Sequence, residues 1–323
     1  MPELPEVEVV RRGIEPAVSF ATVTAVEVLD ERSLRRHPGP SEDFVERMTG
    51  AVLGAPARRG KFLWVPLLPR VRQMQEIPDA SREIPAPDSP THAESPAFRT
   101  MPERHAEALV VHLGMSGQIL LRGRGTDDPL TRIRLDLDSP HGALRLNFVD
   151  QRIFGSMAID SLVPAADHAG ERVPTSVAHI ARDPLDPLFD DAWFLARLAT
   201  KRTGIKRALL DQNLISGVGN IYADEALWHA RLHYDQPANT VSRAKARELL
   251  AAVRDVFAKA LIEGGTSFDA QYVNVNGESG YFSHSLVAYG QHDKPCPRCG
   301  ATMAREPWMN RNSHFCPRCQ RLR

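Results

Sequence analysis

Apolar residues recur at helical spacing near the start of the chain, where Val7, Val10 and Ile14 share a face with Arg11. A first helix is predicted from Pro5 to Glu15, with Pro16 as its stop. Val23 to Leu29 then alternates as a strand. Ser41 is the expected cap of a short helix carrying Phe44, Val45 and Met48 up to Gly50, and Lys61 to Leu67 reads as a further strand. The pattern then breaks: the 37 residues from Pro66 to Pro102 hold eight of the 25 prolines and little apolar periodicity, a composition that favours disorder. Order returns with LVVHLGMSGQILL inside Ala108 to Leu121, which suits a buried strand pair bent at Gly114 and Gly117. Ile133, Leu135 and Leu137 alternate, Ser139 to Gly142 turns, and Leu144, Leu146 and Phe148 alternate back as a hairpin. After a join rich in Pro and Ala, Leu162 to Thr175, three short helical segments follow at Trp193 to Ala199, Lys206 to Asp211 and Asn220 to Ala230. Leu249, Leu250, Val253, Phe257 and Leu261 mark a longer amphipathic helix ended by Gly264 and Gly265.

These elements predict an α+β, multidomain chain. Its parts are an N-terminal β-sandwich or barrel over 1–162 with a disordered insertion expected at 67–106, a linker at 163–180, a helical domain at 181–285 and a cysteine-bearing tail at 286–323. A length of 323 residues, with 42% hydrophobic and 25% charged side chains, agrees with several ordinary globular domains. No run is apolar enough for a membrane span and no signal segment opens the chain, so a cytosolic location is expected. The formal net charge is zero, yet its distribution is uneven. Ala192 to Leu210 carries Arg197, Lys201, Arg202, Lys206 and Arg207 with no acid, and Tyr289 to Arg323 carries seven Lys or Arg against Asp293 and Glu306. Local excess of this kind, rather than the total, sets affinity for a polyanion.

Three stretches carry chemistry. Loss of Met1 would leave Pro2 as a terminal secondary amine, partly unprotonated near neutrality and able to form a covalent iminium with an electrophilic carbon, while Glu3 supplies an adjacent acid/base. The alternative is a plain helix start, with Pro5 in the first turn and Glu6 and Glu8 at the positive pole. Cys296-x2-Cys299 and Cys316-x2-Cys319, separated by sixteen residues, form a tetrathiolate signature for one structural Zn2+. A hairpin between the pairs would carry Arg311 near its tip, towards a phosphate backbone. Finally, Gly217-Val218-Gly219 before a helix exposes N–H groups that can cradle a phosphate, with Asn220 as the expected cap. No HExxH or similar ligand set appears, which argues against a metal-dependent nuclease.

MPELPEVE at the start, HLGMSG at His112 to Gly117, GVGNIYADEAL at Gly217 to Leu227 and the paired CPRC segments together resemble the bacterial formamidopyrimidine-DNA glycosylases. The resemblance spans nearly the whole chain apart from Leu67 to Ala106. It implies an N-terminal β-sandwich with flanking helices, a helix-two-turn-helix domain and a zinc finger. It further implies excision of oxidised purines and strand cleavage on double-stranded DNA carrying an oxidised or abasic nucleotide; asymmetric engagement of one lesion favours a monomer, with the oligomeric state left open. By the same resemblance Pro2 is the Schiff-base nucleophile, Glu3 the acid/base, Lys61 the proton donor for β-elimination and Arg311 the residue of δ-elimination. His112, Arg152, Arg202, Lys206 and Asn220 would bind DNA, Met115, Arg152 and Phe154 would fill the gap left by a flipped nucleotide, and Val273 to Gly280 would close over it. Gln151 and Ile153 depart from the common pattern and leave the opposite-base preference open. Two alternatives stand beside this: an endonuclease VIII-like enzyme for oxidised pyrimidines, and a noncatalytic zinc-finger binder of damaged DNA.

Overall fold

The computed structural model describes residues 2–68, 107–266, 275 and 282–323. The chain opens with α1 (Leu4–Val18), followed by β1 (Thr22–Val28), α2 (Ser41–Met48), β2 (Val52–Leu53), β3 (Ala57–Arg59) and β4 (Phe62–Leu68). Of the proline-rich stretch expected to be disordered, Pro66 to Leu68 complete β4, and residues 69–106 lie outside those described. Then come β5 (Glu107–His112), β6 (Gly117–Gly123), β7 (Thr131–Ser139), β8 (Gly142–Asp150), β9 (Ser156–Ala165) and β10 (His168–Pro174).

The strands hydrogen-bond in the order β10-β9-β5-β4-β2-β1-β7-β8-β6, with β3 on β4. Val23, Leu63, Val65, Leu109, Val111, Ile119, Ile133, Leu135, Phe148 and Ile159 meet in a single buried cluster, so the sheet curls on itself around its core. The expected sandwich is thus built from one continuous antiparallel sheet folded over its core. The β7–β8 hairpin forms as predicted, with Ser139 opposite Gly142. Ala108 to Leu121 does not form a strand pair, however: β5 bonds to β4 and β9, whereas β6 bonds to β8. The expected linker at 163–180 holds the end of β9, all of β10 and a short 3-10 turn, because its prolines and alanines hide a hairpin in which Val163 pairs with Val173.

Two helix ends also differ from expectation. Pro16 lies inside the last turn of α1, where its missing N–H removes one bond; the helix continues to Val18, and Ser19 closes it by donating both its N–H and its Oγ to the Glu15 carbonyl. Ser41 is the first residue of α2 rather than its cap. Its hydroxyl donates to Glu31, and Pro40 occupies the cap position.

The second domain contains α3 (Asp191–Leu198), α4 (Ile205–Leu209), α5 (Asn220–His229) and α6 (Arg243–Ile262), packed around Leu209, Ile215, Tyr222, Leu249 and Phe257. Leu4 belongs to this cluster although Val7, Val10 and Ile14 belong to the sheet's core, so α1 is shared by both domains. A finger follows, with β11 (Ala304–Trp308) and β12 (Arg311–Phe315) pairing over five positions. Among the described residues no helix is long and apolar enough to cross a membrane.

Candidate active site

The N-terminal residues are buried where the two domains meet. Pro2 and Glu3 are buried, and Met1 lies outside the described residues. The Leu4 N–H donates to the Gly217 carbonyl at 3.1 Å. The Glu3 carboxylate accepts from the N–H groups of Gly219 (2.7 Å), Ile221 (3.0 Å) and Tyr222 (3.5 Å) at the start of α5. The phosphate-cradle reading of Gly217 to Asn220 is therefore overturned, because the anion at this helix terminus is the chain's own third residue. The cap is Gly219, and Asn220 is the first helical residue. Both glycines have a steric reason. A Cβ on Gly217 would lie 2.6 Å from Leu4, and one on Gly219 would lie 2.3 Å from the Glu3 carboxyl carbon.

Glu6, which the sequence marks only as an acid at a helix start, organises the other side of this corner. Its carboxylate accepts from the Glu3 N–H (2.8 Å), the Tyr222 hydroxyl (2.6 Å) and both the N–H and hydroxyl of Thr266 (2.8 Å each). The available signal was the Glu3-x-x-Glu6 spacing, which forms a capping box around the first turn of α1. Burial raises the Glu3 pKa to about 6; nearby Glu6 adds to the rise, and Lys61 and the Ile221 N–H oppose it. Lys61 donates to the Val218 carbonyl at 3.0 Å, and desolvation lowers its pKa against the pull of Glu3 and Glu6. Gln212 braces the same loop, accepting from Gly217 N–H and donating to Val218 O, both at 3.0 Å.

A cleft of about 740 Å³ opens beside Lys61, with His112, Lys201, Arg207, Gln212 and Arg311 on its walls. His112 accepts the Gly114 N–H on Nδ1 at 3.1 Å. Burial first, then Arg36, Arg35 and Lys61, push its pKa down to about 4, so near neutrality the ring is uncharged and presents Nε2–H as a donor. Arg311 opens β12 directly after the two-residue turn, at the hairpin tip the spacing suggested. Arg202 is exposed, as is Arg207 on the cleft wall, which sequence reasoning left among the general basic run.

Lys206 is a correction. Its side chain is 0% exposed, its ammonium pairs with Asp224 at 2.6 Å, and it donates to Ser313 Oγ at 2.9 Å and the Asn312 carbonyl at 3.1 Å. It lies 4.9 Å from the Trp308 ring centre. With its donors spent inside the protein, this lysine clamps the finger to α5 and offers nothing to a phosphate. Asn220 also reaches the finger, donating Nδ2 to the Asn312 carbonyl at 3.1 Å. Farther along α5, Glu225 accepts from the N–H groups of Val287, Ala288 and Tyr289. GVGNIYADEAL is therefore a hub: its glycines receive the N-terminus and its acids receive the finger.

Met115, Arg152 and Phe154 are exposed on two adjoining loops, Met115 to 44% and Phe154 to 50%. Asp150 ties these loops together, accepting from Ser116 Oγ (2.5 Å), Arg152 N–H (3.2 Å) and Gly155 N–H (2.6 Å). Arg35 donates to the carbonyls of Ile153, Phe154 and Gly155. Gly114 has φ +62, and a Cβ there would strike the Phe154 carbonyl carbon at 2.3 Å. Of the loop at Val273 to Gly280, only Val275 is described: it is buried and its carbonyl accepts from Leu121 N–H at 3.0 Å.

The four cysteine sulfurs lie within 4.8 Å of one another, and Cys299 Sγ is 3.5 Å from Cys316 Sγ. Tetrahedral zinc at about 2.3 Å per thiolate needs sulfurs roughly 3.8 Å apart, so the set fits Zn2+ and leaves no open coordination position. The backbone is turned for it, with Gly300 N–H on Cys296 O and Gln320 N–H on Cys316 O, both at 2.9 Å.

A cation-lined cleft beside a buried prolyl residue and carboxylate, with a tetrathiolate finger at its rim, is the arrangement of an enzyme that acts on nucleic acid. The chain belongs to the formamidopyrimidine-DNA glycosylase family: residues 1–157 match its N-terminal domain and residues 180–271 its H2TH domain. It is 55% identical to the formamidopyrimidine-DNA glycosylase of Leifsonia xyli, each chain covered completely, and 50% identical to that of Streptomyces avermitilis over 99% of this chain and 98% of the relative. Among solved structures it is similar to Lactococcus lactis Fpg bound to an abasic site containing DNA, with a TM-score of 0.73, 25% identity and 99% of each chain covered. A Lactococcus lactis Fpg variant bound to Fapy-dG containing DNA matches with a TM-score of 0.75 and 25% identity over 99% of this chain and 100% of that one.

Proposed function

We propose that the protein is a bifunctional DNA glycosylase and AP lyase of base excision repair that excises oxidised purines and formamidopyrimidines and then cleaves the strand. The observation that carries this reading is the buried Pro2-Glu3 corner, held on the Gly217 to Tyr222 segment next to a cleft lined by Lys61, His112 and Arg311. With Met1 removed, the Pro2 nitrogen attacks C1′ of an everted nucleotide as the bond to the base breaks. Glu3, with a pKa near 6, gives a proton to the sugar ring oxygen as the ring opens and can recover it. The C1′ iminium acidifies the C2′ proton; loss of that proton expels the 3′ phosphate, and a second elimination expels the 5′ phosphate.

Lys61, whose pKa desolvation lowers, is suited to proton transfer near the leaving phosphate, and neutral His112 offers Nε2–H to the backbone. Arg311, with its planar fork of donors, serves as a phosphate clamp. Met115, Arg152 and Phe154 would occupy the space the nucleotide leaves. When bound, zinc holds the finger that carries Arg311. Damaged duplex DNA is the partner, the enzyme acts as a monomer, and a reduced tetrathiolate set together with a chromosomal substrate supports a cytosolic location. Oxidised pyrimidines are a second substrate class, supported by the similar Lactococcus lactis Fpg, 25% identical, solved with an oxidised pyrimidine containing DNA.

Borohydride reduction tests the chemistry. Abasic or 8-oxoguanine duplex should become covalently attached to the protein, and Pro2→Gly should trap far less. Full nicking by protein whose terminal nitrogen is chemically capped would refute the mechanism.

A further inference from the structure

A second cavity, about 690 Å³, lies where the metal end of the finger meets the start of α6, and it shares no residue with the lesion cleft. Its walls carry Arg231, Lys245, Arg298, Arg318, Arg321 and Arg323, and no acidic side chain. Arg298 is pre-set, its guanidinium 3.8 Å from the Trp228 ring centre and donating to the Trp228 carbonyl at 3.0 Å. The first turn of α6, capped by Ser242, adds the positive end of a 20-residue helix. Arg231, Arg318 and Arg321 are exposed and form no ion pair with a described residue.

The simplest role for these cations is to balance the metal site, since Zn2+ with four thiolates carries a net charge of −2. Glu248, paired with Lys245 at 2.5 Å, removes one more positive charge. A net positive charge remains in a single concavity even with the Arg323 α-carboxylate counted against it. Five of the six groups are guanidinium forks, which suit paired phosphate oxygens better than single-point contacts. The finger strands, five residues each, separate this cavity from the hairpin tip by roughly 17 Å.

We infer that this cavity is a second phosphodiester site, which grips a DNA segment other than the one held in the lesion cleft. The inference rests on the function proposed above only in taking DNA as the polymer. A protein holding two segments at once can pass between them without full release.

The test uses full-length, zinc-loaded protein saturated with a short duplex bearing an abasic analogue, then titrated with a labelled lesion-free duplex. Wild type should capture the second duplex. Arg231→Ser/Arg318→Ser/Arg321→Ser should capture it at least tenfold more weakly, with a log–log salt dependence flatter by about 2 to 3, at about 0.9 for each phosphate no longer neutralised. Borohydride trapping on the short lesion duplex and zinc content should be unchanged in the variant, which separates failure of this site from failure of the catalytic reading. A saturated wild type that takes no second duplex, or a zinc-replete variant that takes it equally well, overturns the proposal. Displacement of a polyglutamate probe but not of DNA from this site would overturn it too.

Discussion

Gly219→Ala isolates the contact on which the proposed chemistry depends. The backbone at Gly219 is extended, φ −126 and ψ −161, a conformation open to any residue, so alanine brings no backbone strain. Its methyl would lie 2.3, 2.4 and 2.6 Å from the Cδ, Oε1 and Oε2 atoms of Glu3. Relief requires the carboxylate to withdraw, breaking its bonds at 2.7 and 3.0 Å to the α5 terminus. Hydrogen bonds to a charged group contribute about 1.5–3 kcal/mol each, so the loss is about 3–6 kcal/mol, the lower end applying if water reaches the freed groups. A displacement of about 1 Å at a reacting group costs on the order of 100-fold in rate. Single-turnover excision from an 8-oxoguanine duplex, read with thermal melting, should show both losses while zinc content is unchanged. Gly123→Ala, where a Cβ meets nothing within 4 Å, should be silent in both assays. Wild-type rate and melting in Gly219→Ala would refute the idea that this glycine exists to admit Glu3.

Three further outcomes follow from the geometry. Lys206→Met leaves Asp224 buried without its cation and should destabilise the protein by about 3–5 kcal/mol, yet leave the salt dependence of DNA binding unchanged, whereas exposed Arg207→Ala should flatten it. The raised pKa of Glu3 means that the native state binds its proton more tightly than the unfolded chain. Its stabilising contribution, about 2 kcal/mol, is therefore present below about pH 4.5 and lost as pH rises through about 6, and Glu3→Gln should remove that slope from the pH dependence of melting. Chelation of zinc, or Cys316→Ser, should loosen the finger and weaken DNA affinity while leaving slow borohydride trapping of Pro2 detectable at high DNA concentration; equal affinity in metal-free protein would remove the finger from the DNA grip.

Much of this molecule is local and therefore written along the chain. Val7, Val10 and Ile14 at helical spacing, the alternation through β7 and β8, the paired CxxC turns and the proline at position two each declare their element or chemistry within a few residues. Tertiary structure decided what those pieces meet. A helix N-terminus attracts any anion, and only the fold shows that the one at α5 is Glu3, 216 residues away, rather than a phosphate. Lys206 and Arg207 are adjacent cations in one short helix, but a turn of about 100° per residue buries the first against Asp224 and exposes the second on the cleft wall. Charge and periodicity are properties of a segment, whereas burial and partnership are properties of the distant surface it packs against.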